Sequence, residues 1–123
     1  MHYSDLLIHQ IALRLSGEIF GLLKGRRKPD NQKIINQVIE SSESIDSNII
    51  EGWSRRFYPK EYIRFLEMSL GSSDETQGHV LRLFNRSIID DKERDRFFKE
   101  YKDLSIRILN FIDYHKKKNH III

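Results

Sequence analysis

The sequence predicts an all-α fold, an up-down-up-down antiparallel four-helix bundle. Three observations carry this. Apolar residues recur at steps of three, four and seven along four long stretches, the period of one buried helix face. Short connections holding Gly, Pro, Asp or Asn separate those stretches, and short connections make sequential helices antiparallel neighbours. No stretch alternates apolar and polar residues as a half-buried strand does.

The helices are expected near 5–24, 31–55, 59–86 and 91–117, within one domain over 1–123. In the first, Ser4 is placed to cap and Asp5 to meet the N-terminal dipole. Ile8, Ile11, Ala12, Leu15, Ile19, Leu22 and Leu23 give its apolar face. Gly17, Gly21 and Gly25, four apart, predict close packing of a neighbour. Lys24-Gly25-Arg26-Arg27-Lys28-Pro29 ends this helix and reads as a solvated charge run. Asp30 or Asn31 opens the second helix. Pro59 and Glu61 suit the first turn of the third. Its apolar line runs Ile63, Leu66, Leu70, Ser73, Gln77, Val80, Leu81, Phe84. Asp90 and Glu93 form an Asp version of a capping box for the fourth helix. Phe97, Tyr101, Leu104, Ile108, Phe111 and His115 follow at helical spacing, and Lys116, Lys117 and Lys118 complement the C-terminal dipole.

Composition narrows the function classes. At 123 residues, with 39% hydrophobic and 32% charged, the chain suits a globular domain with a real core. It has no cysteine, which removes disulfides, thiol catalysis and Cys-based zinc sites and fits a cytoplasmic protein. Its longest apolar stretch, from Leu6 to Leu23, is broken by His9, Gln10, Arg14 and Glu18, so it reads as amphipathic and no membrane association is expected. The net charge of +3 is mildly basic and says little alone about nucleic acid.

The least ordinary stretch is Ser44-Ile45-Asp46-Ser47-Asn48-Ile49-Ile50-Glu51-Gly52-Trp53-Ser54-Arg55-Arg56. Val38, Ile45, Ile49 and Gly52 keep one buried face. Ser44, Asn48 and Glu51 form a polar strip beside it, expected to be at least partly buried and therefore hydrogen-bonded. Gly52 suits a close backbone approach. Folding the second helix back on the third sets Asn48 level with Met68 and Ser69, and Glu40 level with Glu75. The expected layer is therefore Ser44, Asn48, Glu51, Gly52, Arg55, Ser72 and Glu75.

Ser44, Ile45, Asn48, Ile49, Glu51, Gly52 and Arg55, followed by Phe65-Leu66 and Gly71-Ser72-Ser73-Asp74-Glu75, resemble the bacterial four-helix-bundle proteins known as 23S rRNA intervening-sequence proteins. The resemblance covers nearly the whole chain. It implies a homopentamer, and a kinship with accessory proteins of diversity-generating retroelements, where a basic barrel engages nucleic acid and a nucleic-acid enzyme. The family has no agreed biochemical function. Where it commonly carries Arg-Ala before the motif, this chain has Glu40-Ser41, so an arginine facing Glu75 is missing; Arg82 or a neighbouring subunit would have to compensate.

Signals for catalysis are poor. No metal-protease or di-iron spacing occurs, and the glycines match no phosphate-binding or dinucleotide loop. Glu75 and His79, four apart, make an incomplete metal site. No catalytic residue, cofactor or metal is assigned; an enzyme using the Asn48, Glu51 and Glu75 layer is the least favoured reading. Nucleic-acid signals have geometry behind them. The second connection and the C-terminus share one end of such a bundle, gathering Arg55, Arg56, Lys60, Arg64, Lys116, Lys117 and Lys118 among Trp53, Phe57, Tyr58, Tyr62 and Tyr114. Cations for phosphates and aromatics for bases are the ingredients of single-strand binding, to RNA or DNA. Leu7, Leu13, Phe20, Ile39, Ile50, Phe65, Phe98 and Leu109 lie off the main stripes and predict a second buried face, hence self-association. The alternative is an assembly module with a protein partner and no nucleic-acid contact. Ile121, Ile122 and Ile123 would expose an apolar patch in water and are expected to dock in a groove.

Overall fold

The computed structural model describes residues 1–121. Four α-helices run in chain order: α1 Leu7–Leu23, α2 Gln32–Ser54, α3 Pro59–Asn85 and α4 Asp91–Lys118. There is no strand among the described residues. Consecutive helices pack on one another and α1 closes against α4, which makes the up-down-up-down bundle.

The start of the chain differs from expectation. Tyr3–Asp5 form a 3-10 turn of their own. His2 Nδ1 accepts the Ser4 N–H at 3.3 Å, and Asp5 Oδ2 accepts the His2 N–H at 2.8 Å. The carboxylate expected to serve α1 is thus used one turn earlier. Leu6 is extended, and α1 begins after it. The α4 capping box forms as predicted, with Asp90 Oδ1 accepting the Glu93 N–H at 2.8 Å and Glu93 Oε1 accepting the Asp90 N–H at 2.9 Å.

The core is aliphatic along most of its length: Leu15, Ile19 and Leu23 from α1, Ile34, Ile35, Ile45 and Ile49 from α2, Leu66 and Leu83 from α3, Leu104 and Ile108 from α4. On α3 the buried line is Leu66, Ser69, Ser73, Thr76, Val80, Leu83. Leu81 is exposed and Phe84 only half-buried, so the line read through them was out of phase. Ser69 and Thr76 hold the core positions that the expected line gave to Leu70 and Gln77, one residue later.

The four interfaces are unequal. The α2–α3 contact is the most extensive and α1–α4 the least. Gly52 shows why the α2–α3 end is close. A Cβ there would lie 3.0 Å from Tyr62 Cδ1 and 3.1 Å from Phe65 Cβ. Across the looser seam, Arg14 and Arg96 each pair with both Glu18 and Glu100. Gly17, Gly21 and Gly25 do not serve packing among the described residues, where a Cβ on any of them would meet nothing within 4 Å. Ile121 packs against the core at the end of α4, and its N–H donates to the Lys116 carbonyl at 2.8 Å. Ile122 and Ile123, for which docking was expected, lie outside the described residues.

Candidate nucleic-acid interface

α3 carries small hydroxylated residues on two flanks, and each flank bonds a different neighbour. Toward α2, Ser44 Oγ lies 2.6 Å from Ser72 Oγ, Thr76 Oγ1 2.8 Å from Ser41 Oγ, and Ser69 donates to the Ile45 carbonyl at 2.8 Å. Toward α4 a relay runs in one direction. Gln77 Nε2 donates to Ser105 Oγ at 2.9 Å, Ser105 to Ser73 Oγ at 2.7 Å, and Ser73 to the Tyr101 carbonyl at 3.1 Å. Short hydroxyls let the backbones approach while pairing what they bury. Of the expected layer, Ser44 and Ser72 meet here and Gly52 supports the close approach nearby.

The other members are placed differently. Glu51 is exposed and pairs along its own helix with Arg55. Its position one turn past Asn48 swings it out to the solvent edge, so the partly buried portion of the strip is Ser44 and Asn48, without Glu51. Asn48 is half-buried, but its Nδ2 donates to the Ser44 carbonyl of its own helix at 2.8 Å and makes no bond to α3. Glu75 is exposed. It shares a groove with Glu40, Ser41 and Ser44, as the levelling of the two helices predicts. Arg82 does not neutralise it. Arg82 Nη1 lies 3.1 Å from His79 Nδ1, and His79 Nε2 lies 3.2 Å from Glu75 Oε1. Sequence reading missed Ser41, Thr76 and Ser105. Ser105 could have been found, since it continues the Tyr101–Ile108 stripe at steps of four and three.

The end that holds the α2–α3 turn and the α4 C-terminus sorts its cations into two groups. Arg55 is held by Glu51, Arg64 by Glu61 at 3.2 Å, and Lys116 lies 3.7 Å from Glu67. Arg56, Lys60, Lys117 and Lys118 form no ion pair among the described residues. Arg56 is nonetheless ordered. It donates to the Trp53 carbonyl at 3.1 Å, and its guanidinium stands 4.5 Å from the Trp53 ring centre and 4.6 Å from that of Phe57. Lys118 lies 6.0 Å above Tyr114.

The aromatics divide in the same way. Phe57 and Tyr58 are 77% and 68% exposed at the turn, far more than core aromatics. Tyr62, expected among the accessible rings, is buried instead. It packs edge-on to Trp53 and Phe111 and 5.0 Å from the His115 ring. Burial pushes its hydroxyl up to about 12, against the smaller opposing effect of Arg56. His115 is depressed below the usual imidazole range, by burial first and by Lys118 second. Both groups are therefore neutral near pH 7, and the charge at this end comes from Arg and Lys. Among the described residues no group of three or more His, Asp or Glu could hold a metal, and no helix is long and apolar enough to cross a membrane.

Comparison with known proteins agrees with this architecture. The chain superposes on the crystal structure of a protein of unknown function from the S23 ribosomal protein family of Bacteroides thetaiotaomicron VPI-5482 with a TM-score of 0.74. That similarity covers 86% of this chain and 98% of the other at 16% identity, so it speaks to fold. No functionally curated protein matches. The 23S rRNA-intervening sequence protein family matches residues 4–110. With the Ser44–Arg55 motif lying inside that span, the chain belongs to the 23S rRNA-intervening sequence protein family.

Proposed function

We propose that the protein is a non-enzymatic, self-associating helical bundle that presents the α2–α3 turn to single-stranded RNA or DNA, alone or beside an enzyme that works on nucleic acid. The observation that carries this reading is the turn itself. Among the described residues, Arg56, Lys60, Lys117 and Lys118 lack carboxylate partners at the same end where Phe57 and Tyr58 stand exposed. Unpaired cations bind phosphates by releasing counterions, and exposed rings stack bases of any sequence. A non-enzymatic role fits the motif. Ser44 is engaged in a helix–helix hydrogen bond, Ser47 and Ser54 bond carbonyls of their own helix, and Glu51 is paired on the surface.

Self-association is supported by a separate surface. Leu13, Gly17, Phe20 and Gly21 share the outward face of α1, and Ile106 and Leu109 that of α4. The family resemblance implies five copies, which would gather the basic turns into a ring. A protein-only assembly module is the second reading, favoured by this same apolar face.

A nuclease-treated, high-salt-purified sample, titrated with labelled single- and double-stranded RNA and DNA over a salt series, separates them. The proposal predicts preference for single strands, steep weakening with salt, and a shallower salt slope in Arg56→Glu with Lys60→Glu. Absence of binding even at low ionic strength leaves only the assembly reading. Native mass spectrometry checks the other half: Phe20→Glu with Leu13→Glu is expected to yield monomer, and an unchanged oligomer contradicts the assigned face.

A further inference from the structure

The opposite end of the bundle holds a concave, cationic site that neither the motif nor the turn uses. The α1–α2 and α3–α4 connections line a half-open cavity of about 580 Å³ there, with Arg26, Lys28, Asp30, Arg86 and Ser87 among its walls. One wall is held in place. Arg26 clasps Glu93 with two N–H···O bonds of 2.8 and 2.7 Å and donates to the Ile88 carbonyl at 3.0 Å. Asn31, buried, accepts the Lys28 N–H at 2.8 Å and donates to the Arg26 carbonyl at 2.9 Å. The charge of Arg26 is therefore spent on Glu93, while Lys28 and Arg86 form no ion pair among the described residues. Arg86 also lines an adjoining groove with Lys33, Arg82, His79 and Glu75. Four cations, Lys28, Lys33, Arg82 and Arg86, thus stand against two carboxylates, Asp30 and Glu75.

Ser87 also lines the hollow. Its φ of 59° is that of the left-handed residue which ends α3 in a Schellman cap, where the Ile88 N–H donates to the Leu83 carbonyl at 2.9 Å. Its hydroxyl has no hydrogen-bond partner among the described residues, whereas its N–H is taken by the Phe84 carbonyl.

From these features we infer that the cavity binds a phosphomonoester group, with Lys28 and Arg86 as charge partners and the Ser87 hydroxyl as an added donor. At the turn, cations lie on a convex surface beside stacking rings, which suits a strand passing by. Here cations from two connections converge in a hollow that no aromatic residue lines, which suits a compact dianion at the end of a molecule. The inference does not depend on binding at the turn, because it uses other residues at the other end.

The test uses one short single-stranded RNA, labelled at its 3′ end, with either a 5′-phosphate or a 5′-hydroxyl, at fixed ionic strength. The phosphorylated form is expected to bind the full-length protein on the order of tenfold tighter, the worth of one charge-assisted hydrogen bond. Lys28→Glu with Arg86→Glu should abolish that preference, and Arg56→Glu should leave it. Ser87→Gly should weaken the preference while raising the unfolding midpoint, since it relieves the backbone. Calorimetry with adenosine monophosphate and inorganic phosphate covers the case in which long strands do not bind. Binding of either, lost in the double variant, supports the site and names small phosphates as its source. A 5′-phosphate preference without small-phosphate binding supports it with a strand end as the source. Equal affinity for both RNA forms with no heat from either small phosphate overturns it, as does a preference that survives the double variant.

Discussion

In α2 the hydroxyls of Ser41 and Ser44 meet hydroxyls on α3, whereas Glu51, two turns beyond Ser44, faces solvent and pairs with Arg55 of its own helix. Two polar regions of one motif therefore do different physical work. Residues near 41–48 lie where two helices are pressed together, and the serines and Asn48 there persist because each is paired. Residues 51–56 lie at a turn, where water competes for every pair, so the same kinds of group contribute little to folding. What remains at the turn after local pairing is a set of unbalanced cations and exposed rings. The comparison teaches that a polar residue in this motif is assigned by its depth in the bundle, and that adjacency in sequence is a poor guide to role.

Three substitutions can break that comparison, in decreasing order of expected effect. Gly52→Leu puts a side chain where even a Cβ would crowd Tyr62 and Phe65, and Phe65 Cβ is anchored to the backbone. Overpacking of this kind costs ~1–3 kcal/mol or more, read by urea unfolding. Ser73→Ala cuts the Gln77–Ser105–Ser73 relay in its middle and leaves the Ser105 hydroxyl without its acceptor. A loss of ~1–3 kcal/mol is expected, and wild-type stability would show that the relay is dispensable. Glu51→Ala removes only an exposed pair, and its unfolding free energy should stay within ~0.5 kcal/mol of wild type. A loss as large as that of Ser73→Ala would mean that the motif is one buried unit after all.

Much of the fold was legible because it rests on period. The stripes of α1, α2 and α4 name themselves through Leu15 and Ile19, Ile45 and Ile49, Leu104 and Ile108. α3 was misread at Leu81 because its stripe passes through Ser69, Thr76, Val80 and Leu83, and the apolar Leu70, Leu81 and Phe84 just after them draw the line one position round the helix. Hydropathy, which sends serines to the surface, hid Ser105. Glu51 was misplaced for a different reason. A helical step fixes the angle of a side chain, but how far the neighbouring helix extends decides whether that angle is covered. The cationic end was legible from topology alone, since the second connection and the C-terminus must meet. Which cations stay unpaired was not, because pairing with Glu51, Glu61 or Glu67 depends on side-chain reach. The hollow at the far end was illegible too: Lys24–Pro29 reads as a solvated run until Arg26 is seen clasping Glu93.

The central claim is that the hydroxyl layer holds the bundle and the turn meets nucleic acid. It is tested most directly by measuring two quantities on two variants: the unfolding midpoint, and the affinity for a 5′-hydroxyl single-stranded RNA at low salt, well below that midpoint. Ser73→Ala should lower the midpoint by several degrees and leave affinity unchanged. Arg56→Glu with Phe57→Ala should keep the midpoint and weaken binding by on the order of tenfold or more, since a stacked base alone is worth ~1–3 kcal/mol. If both variants lose stability and affinity together, or if the turn variant binds like wild type, the division of labour described here is wrong.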